Sequence, residues 1–414
     1  MLKRILPLVF LFLNCCNLCH SQWIEISNQK ASQEPTELGG PRIVAEYDIN
    51  DKDISQECPA YIFIRYSKDS GTTWEFLSME HLQGNGYGLV ESSGHKKTIW
   101  WGTSETSFKT IGKTNIADFN RLKFQIRGMK MLRVPAGEFI IRSLPGGGYD
   151  ESEYQESGSN LPLFYIAKYE TTVAMYTDYL NEIGKEGAGW NKRMSNSSRC
   201  GIVQNGAAPN FTYSVKPGRE NYPVTYVSWY DAAAFLRWCG LRLPSEAEWE
   251  KAFRGGIYLD GDKRKEHENP LPERKYPWGN ELPNAEGVYR CNYDGDDDGF
   301  PYTAPVGSFD KFNCPYGACD MAGNVAEWTL GWYSTSYHVG LDGFRMVRGG
   351  SWMAVPYACD AITGATQLPL KESSIMGFRA CYGTSPVRSK SDSGSVGASF
   401  GTSNGARQIT AAID

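Results

Sequence analysis

The chain has 414 residues, 41% of them hydrophobic and 13% aromatic, and carries a formal net charge of -5. A single hydrophobic core rarely serves more than about 250–300 residues, so two globular domains are expected. The slight acidic excess leaves no basic footprint for nucleic acid, and no segment beyond the N-terminus is long and apolar enough to span a bilayer.

Lys3 and Arg4 precede the apolar run Ile5 to Leu13, and small residues follow at Cys19 and Ser21. This pattern predicts a signal peptide over residues 1–21, cut before Gln22, and therefore an exported protein that is periplasmic, secreted or held at the cell surface. Removing the leader takes three of the eleven cysteines and leaves Cys58, Cys200, Cys239, Cys291, Cys314, Cys319, Cys359 and Cys381. An even number in an oxidising compartment predicts disulfides, with the connectivity left open. Cys359 could pair with Cys381 or Cys239, and Cys314 with Cys319. The histidines His81, His95, His267 and His338 are scattered, never at helical metal spacing, which argues against a zinc site.

Residues 28–41 are polar and rich in turn formers. "RIVAEYDI" (42–49), "YIFIRYS" (61–67) and "RLKFQIRG" (121–128) then alternate apolar and polar positions as half-buried strands do. Residues 22–128 are accordingly expected to form a β-sandwich of immunoglobulin or fibronectin type. Between two of its strands, "SKDSGTTW" (67–74) predicts a hairpin turn in which Asp69 accepts hydrogen bonds from the following backbone and Gly71 supplies a positive φ. The turn resembles the Asp-box of propellers, but one copy without a repeat period does not make a propeller.

A second block, residues 131–383, is rich in Gly, Trp, Tyr and Pro and promises few regular elements. Three helices are predicted within it: one from Thr171 or Thr172 to about Gly184, one capped by Ser228 and Asp231 and stopped at Gly240, and one opened by the capping box Ser245/Glu248 and ended by Gly255-Gly256. Glu246, Glu248 and Glu250 spread around the last helix, and acidic residues in a first turn are favoured by its dipole, so they are not read as an acid/base cluster. Residues 258–276 form a charged loop. Gly146-Gly147-Gly148 lacks the Gly-Lys-Ser/Thr of a phosphate loop, and the Ser/Gly-rich stretch 384–414 is expected to be a flexible tail.

"YPVTYVSWYDAAAFLRWCGLRLPSEAEWEKAFRGG" (222–256), "YPWGNE" (276–281), "DMAGNVAEWT" (320–329), "VRGGSW" (347–352) and "GFRA" (377–380) resemble, in order and spacing, the formylglycine-generating enzyme or sulfatase-modifying factor family over about residues 131–383. The resemblance implies an α+β fold related to C-type lectins, with little regular secondary structure. It also implies two Ca2+ sites. In "CNYDGDDDGF" (291–300), Asn292 and Asp298 would give side-chain oxygens while Tyr293 and Phe300 give carbonyls. In "DMAGNVAE" (320–327), Asp320 and Glu327 would give carboxylates while Gly323 and Val325 give carbonyls. The first stretch is acidic, oxygen-rich and punctuated by glycine, which suits a hard cation on its own account.

Active family members carry two cysteines, five residues apart, that hold Cu(I) before a substrate cysteine is oxidised. Counted from "RGGSWM", these positions fall on Ala354 and Cys359. A methyl group ligates nothing and one thiolate is a poor Cu(I) site, so copper is not expected. Cys359 and Ser351 remain the candidate catalytic residues should the chain be active. An iron-dependent sulfoxide synthase of the same fold would need a histidine triad that the isolated histidines do not supply. The sequence therefore reads as an exported, calcium-stabilised, non-catalytic protein that binds a protein or glycan ligand or serves in envelope assembly. The alternative is a formylglycine-generating oxidase acting on a sulfatase cysteine.

Overall fold

A computed structural model describes residues 11–12, 23–35, 41–67, 69–77, 82–100, 123–141, 158–332 and 343–383. Apart from Leu11 and Phe12, the expected signal peptide and its cleavage position lie outside these residues. So do the Gly146–Gly148 loop, His81, His338 and the Ser/Gly-rich tail.

The first block forms two facing sheets. One has the order β1-β2-β3-β8-β6, built from Leu11–Phe12, Ile26–Pro35, Pro41–Ile49, Gly94–Trp100 and Leu82–Gly84. The other contains β4 (Ala60–Ser67), β5 (Glu75–Phe76), β7 (Gly88–Val90) and β9 (Lys123–Val134). The described part of the polar stretch, residues 28–35, is strand although rich in turn formers. β2 pairs with β3 from Ile26↔Ile49 to Pro35↔Pro41, and ladder hydrogen bonds with a partner outweigh weak local propensity. The hairpin after β4 closes as expected. Asp69 accepts from the Thr73 N–H at 2.8 Å and from its hydroxyl at 2.7 Å, and Gly71 has φ 96°. These donors, the Thr73 backbone first, hold the Asp69 carboxyl well below its ordinary pKa.

All eight residues of β4 are buried because both of its faces are covered. Ala60, Ile62 and Ile64 point into the space between the sheets with Ile43, Ala45, Tyr47, Phe124 and Ile126. Tyr61 and Phe63 point the other way, into a core shared with two helices of the second block, α1 (Val173–Ile183) and α2 (Trp229–Trp238). The period-2 alternation of a strand thus feeds two separate cores.

The junction between the blocks is a strand. The first eight residues of β9, Lys123 to Lys130, pair with β4, and its last four, Met131 to Val134, pair with β12 (Phe164–Ala167). β9 therefore runs without a break through positions 128–131, where composition suggested the change of domain. β12 also pairs with β19 (Cys381–Tyr382), so the end of the second block returns to the same sheet. Around this junction, Trp23, Phe63 and Trp238 pack ring against ring at 5.5–6.4 Å. Arg65 and Arg127 lie over Trp238 at 5.4 and 5.3 Å. Arg65 also forms a buried ion pair with Glu182 of α1.

The remaining elements belong to the second block: α3 (Glu246–Arg254), the hairpins β10–β11 (Gly137–Ile140, Gly158–Leu161) and β13–β14 (Ile202–Asn205, Thr212–Val215), and a sheet of order β17-β16-β15-β18. That last sheet is built from Gly364–Gln367, Arg345–Arg348, Ala326–Trp332 and Met376–Gly377. The helices start where their caps predicted. Thr172 accepts from Met175 N–H, and both Ser228/Asp231 and Ser245/Glu248 form complete capping boxes. Among the described residues no helix is long and apolar enough to cross a membrane.

Because the Glu182 side chain is buried and would keep only the longer contact to Arg127 at 3.9 Å, Arg65→Ala should cost about 2–4 kcal/mol. Chemical denaturation of the variant checks this, and a loss under 1 kcal/mol would mean the pair does not join the blocks.

Candidate functional site

Three segments, 291–304, 320–327 and 349–361, meet at the N-terminal end of β15 through backbone hydrogen bonds. Gly323 N–H donates to Gly349 O at 2.7 Å, Asn324 N–H to Asn292 O at 2.8 Å, and Trp352 N–H to Asn324 O at 2.8 Å. "DMAGNV" can make these turns because Asp320, Gly323 and Asn324 all take positive φ, at 57°, 78° and 55°, a conformation that Asp, Asn and Gly tolerate best. At Gly323 no other residue fits, since a Cβ there would lie 2.1 Å from Asn292 O.

The first expected cation loop is closed on itself. Asp298 accepts from Tyr293 N–H at 3.2 Å and from Phe300 N–H at 2.9 Å, while the amide of Asn292 donates to Tyr302 O at 2.8 Å and to Asn324 Oδ1 at 3.1 Å. Asn292 is fully buried and its Oδ1 has no hydrogen-bond partner. A buried oxygen left unsatisfied is costly, so a cation at this atom fits the donor set.

The second expected loop sits on a buried charge cluster. Arg379, fully buried, donates to both oxygens of Glu327 at 2.7 and 2.6 Å, and Trp249 Nε1 donates to the same carboxylate at 2.8 Å. Asp320 accepts from Gly307 N–H. Glu170, which no sequence motif pointed to, accepts from Asn324 Nδ2 at 2.8 Å and from Val325 N–H at 3.3 Å. Burial pushes the Asp320 carboxyl up to about 6. It pushes Glu170 well above the ordinary range, with the charges of Asp320 and Glu327 adding to the effect. Three carboxyl groups thus share one guanidinium, and an added cation would offset the excess. Glu327 is already engaged by Arg379 and Trp249, so Asp320 and Glu170 are the carboxylates that remain for it.

The hydrogen bonds of the candidate catalytic side chains to the backbone are local. Ser351 is buried, and its hydroxyl accepts from Met353 N–H at 3.3 Å. Cys359 ends a short 3-10 helix, Pro356–Cys359, and is fully buried, with its Sγ 3.9 Å from Val355 O. Gly350 gives it room, since a Cβ there would lie 2.8 Å from the sulfur. The thiol beside Cys359 is that of Cys291, not Cys381 or Cys239. Burial, followed by this contact, drives the Cys291 thiol well above its usual pKa. Cys381 instead neighbours Glu248 and Arg242, and Cys239 donates to Leu236 O. All eight described cysteines, Cys291 and Cys359 among them, are unbonded in this structure; Cys359 is brought to neither Cys381 nor Cys239, and Cys314 lies near Cys319 without a bond. Ala354 stands next to the acidic loop, its carbonyl accepting from Asp294 N–H at 2.9 Å.

The glutamates of α3 are structural. Glu248 pairs with Arg242 at 2.7 Å, Glu250 with Arg254 at 2.8 Å and Arg348 at 3.3 Å, and Glu246 with Arg348 at 3.8 Å. Trp328 and Trp352 are core residues, bonded to Val227 O and Ser374 O. Asp260, Glu266 and His267 draw together in the charged loop, where Asp260 caps the backbone of the other two.

The chain matches the family model described as the sulfatase-modifying factor enzyme 1-like domain over residues 117–382. It is 32% identical over 243 residues to the formylglycine-generating enzyme of Thermomonospora curvata, covering 50% of this chain and 73% of the relative. To the formylglycine-generating enzyme of Mus musculus it is 31% identical over 301 residues, 60% and 74% of the two chains. To the inactive C-alpha-formylglycine-generating enzyme 2 of Bos taurus it is 34% identical over 171 residues, 39% and 50%. Among solved structures, PvdO from Pseudomonas aeruginosa is 21% identical, with a TM-score of 0.39 over 61% of this chain and 93% of its own. With the family model covering more than half its length, and with an α+β fold of few helices and many short strands, this chain belongs to the formylglycine-generating enzyme and sulfatase-modifying factor family.

Proposed function

We propose that this member of the family is a calcium-braced, exported binding protein without the family's oxidase activity. The observation that carries the reading is the state of the reactive segment. Ala354 occupies the position of the first copper cysteine, and Cys359 is sealed in the core with no exposed surface. A substrate cysteine and dioxygen would both have to reach that sulfur. The Bos taurus relative named as inactive supports the reading by showing that the family includes such proteins.

The same segment offers a binding face. Met353, Val355 and Tyr357 stand exposed, Tyr357 by 65%, and Leu368 and Leu370 follow on the next stretch, Leu370 by 73%. Large apolar side chains left in water on these two stretches favour a protein ligand over a glycan. Export rests on the leader sequence alone. Ca2+ rests on the orphaned Asn292 Oδ1 and on the excess of buried carboxylates. Asn292, Asp298 and the carbonyls of Tyr293 and Phe300 would hold one ion. Asp320 and Glu170, with the carbonyls of Gly323 and Val325, would hold the other; Glu327, the carboxylate the resemblance implied, is taken up by Arg379 and Trp249. Each ion would fix its turn by neutralising charge, with no part in a reaction.

The oxidase alternative has one observation in its favour, the Cys291 thiol beside Cys359, which could stand in for the missing cysteine. A Cu(I) titration of the reduced chain against excess glutathione separates the two readings. The unmodified chain should bind no copper and Ala354→Cys should gain a site. Stoichiometric binding by the unmodified chain that is lost in Cys359→Ser would overturn the non-catalytic reading.

Chelating calcium should lower the melting temperature. A site filled at a hundredfold its Kd contributes about 2.7 kcal/mol, or roughly 5–10 °C for a domain of this size. Asn292→Ala combined with Asp298→Asn should remove part of that shift, and an unchanged melting temperature on chelation counts against both sites. The effect should also depend on pH. The folded Asp320 and Glu170 carboxyls titrate above their unfolded values, so their contribution to stability is full at low pH and is lost as pH rises, for Asp320 through about 6. A bound cation compensates the charge that then appears. The melting-temperature gap between calcium and chelator should therefore widen from pH 5 to pH 7.5, and a gap that narrows would place the cation elsewhere.

A further inference from the structure

Cys291 opens the acidic loop and Cys359 closes the helix that follows the Gly-Gly-Ser-Trp segment. Both are sealed, 2% and 0% exposed, in one apolar cluster with Met321, Ala322 and Ala361. Apart from burial, the Cys359 side chain is the strongest influence on the Cys291 thiol, as expected of neighbouring sulfurs. The two segments are held in register by the Asp294 N–H to Ala354 O bond, and Cys359 is pinned from behind by the bare Cα of Gly350. Two neighbouring sulfurs in an apolar core, on segments already bonded to each other, are placed for a covalent link.

We propose that Cys291 and Cys359 form a disulfide in the folded protein, stapling the acidic loop to the reactive segment. The oxidant is a small-molecule or protein disulfide. One cysteine thiolate attacks it, breaking its sulfur–sulfur bond and forming a mixed disulfide, and the second cysteine then displaces the remaining half. One bond is made between Sγ of Cys291 and Sγ of Cys359. Two electrons pass from the protein thiols to the oxidant, which departs as two thiols carrying the two protons. Because neither sulfur is accessible once the chain is folded, exchange takes place during folding, before the loop seats on β15. The staple goes beyond the non-catalytic reading, which stands on Ala354 and the burial of Cys359. It would explain what the surviving cysteine does in a chain that has lost its copper partner.

The test is a non-reducing peptide map. The full chain is refolded from its reduced, denatured form in a glutathione redox buffer, alkylated and cut with trypsin. Cleavage after Arg290 and Lys311, and after Arg348 and Lys371, leaves each cysteine alone in its own peptide, 291–311 and 349–371. A linked pair of these two peptides, at least tenfold more abundant than any other linkage of either, is the expected result. Recovery of both as alkylated free thiols, or linkage of either to a different cysteine, would overturn the proposal. Denaturation of the same unmutated chain gives a second readout that needs no variant to fold. The oxidised form should show a higher midpoint than the reduced form, and coincident midpoints would likewise overturn it. Failure here leaves the copper titration untouched, so the two proposals fall separately.

Discussion

One guanidinium organises the second block. Arg379 binds both oxygens of Glu327 and, with its remaining N–H groups, the carbonyls of Ala167, Lys168 and Cys319 at 2.8–3.3 Å. It thereby ties β15, the end of β12 and the turn before the "DMAGNV" loop to the strand that carries it. Burial works against its charge, but Glu327 and Glu170 together hold it above the ordinary arginine range. A planar fork with five donors can satisfy so many partners at once, whereas a lysine could not. In a block with so little regular sheet, such side-chain ties do what ladders do elsewhere, and the buried charge is tolerable only because every arm is met.

The tie also sets the position of the residues proposed to hold ions. Glu327 is fixed by Arg379 and Trp249, Asn324 by Glu170, and Asn292 by Asn324, so the two acidic loops and the reactive segment share one hydrogen-bonded frame. Any group that neutralises Asp320 or fills the space at Asn292 Oδ1 acts on the whole frame. This is why cation binding is cast as structural bracing: the carboxylates and the carbonyl oxygen lie in the same packed unit as the sealed cysteines.

Much of this was legible in the sequence and the remainder was not, for identifiable reasons. Ser228/Asp231 and Ser245/Glu248 announced their helices because a capping box is local, made by residues three apart. The alternation in "YIFIRYS" gave a strand, but not that its second face is covered by α1 and α2, since period-2 burial on both faces looks the same as a single apolar run. The turn formers of residues 28–35 do not announce a strand, because pairing with β3 decides their conformation. Glu170 precedes a helix in an unremarkable stretch and becomes a site residue only through contacts more than a hundred positions away. The neighbour of Cys359 was sought downstream, at Cys381, or in α2, at Cys239. Nothing in the spacing of cysteines reports which loops a fold will lay side by side.

The shared strand β9 has a mechanical consequence. A chain of beads joined by a linker lets each bead swing, but here one continuous extended segment is zipped to β4 along its first part and to β12 along its last. Load applied to the N-terminal sheets runs along the backbone of β9 as shear across many parallel hydrogen bonds, instead of unzipping them one at a time. Force on the second block is therefore passed to the first through β9 itself, with no flexible tether between them.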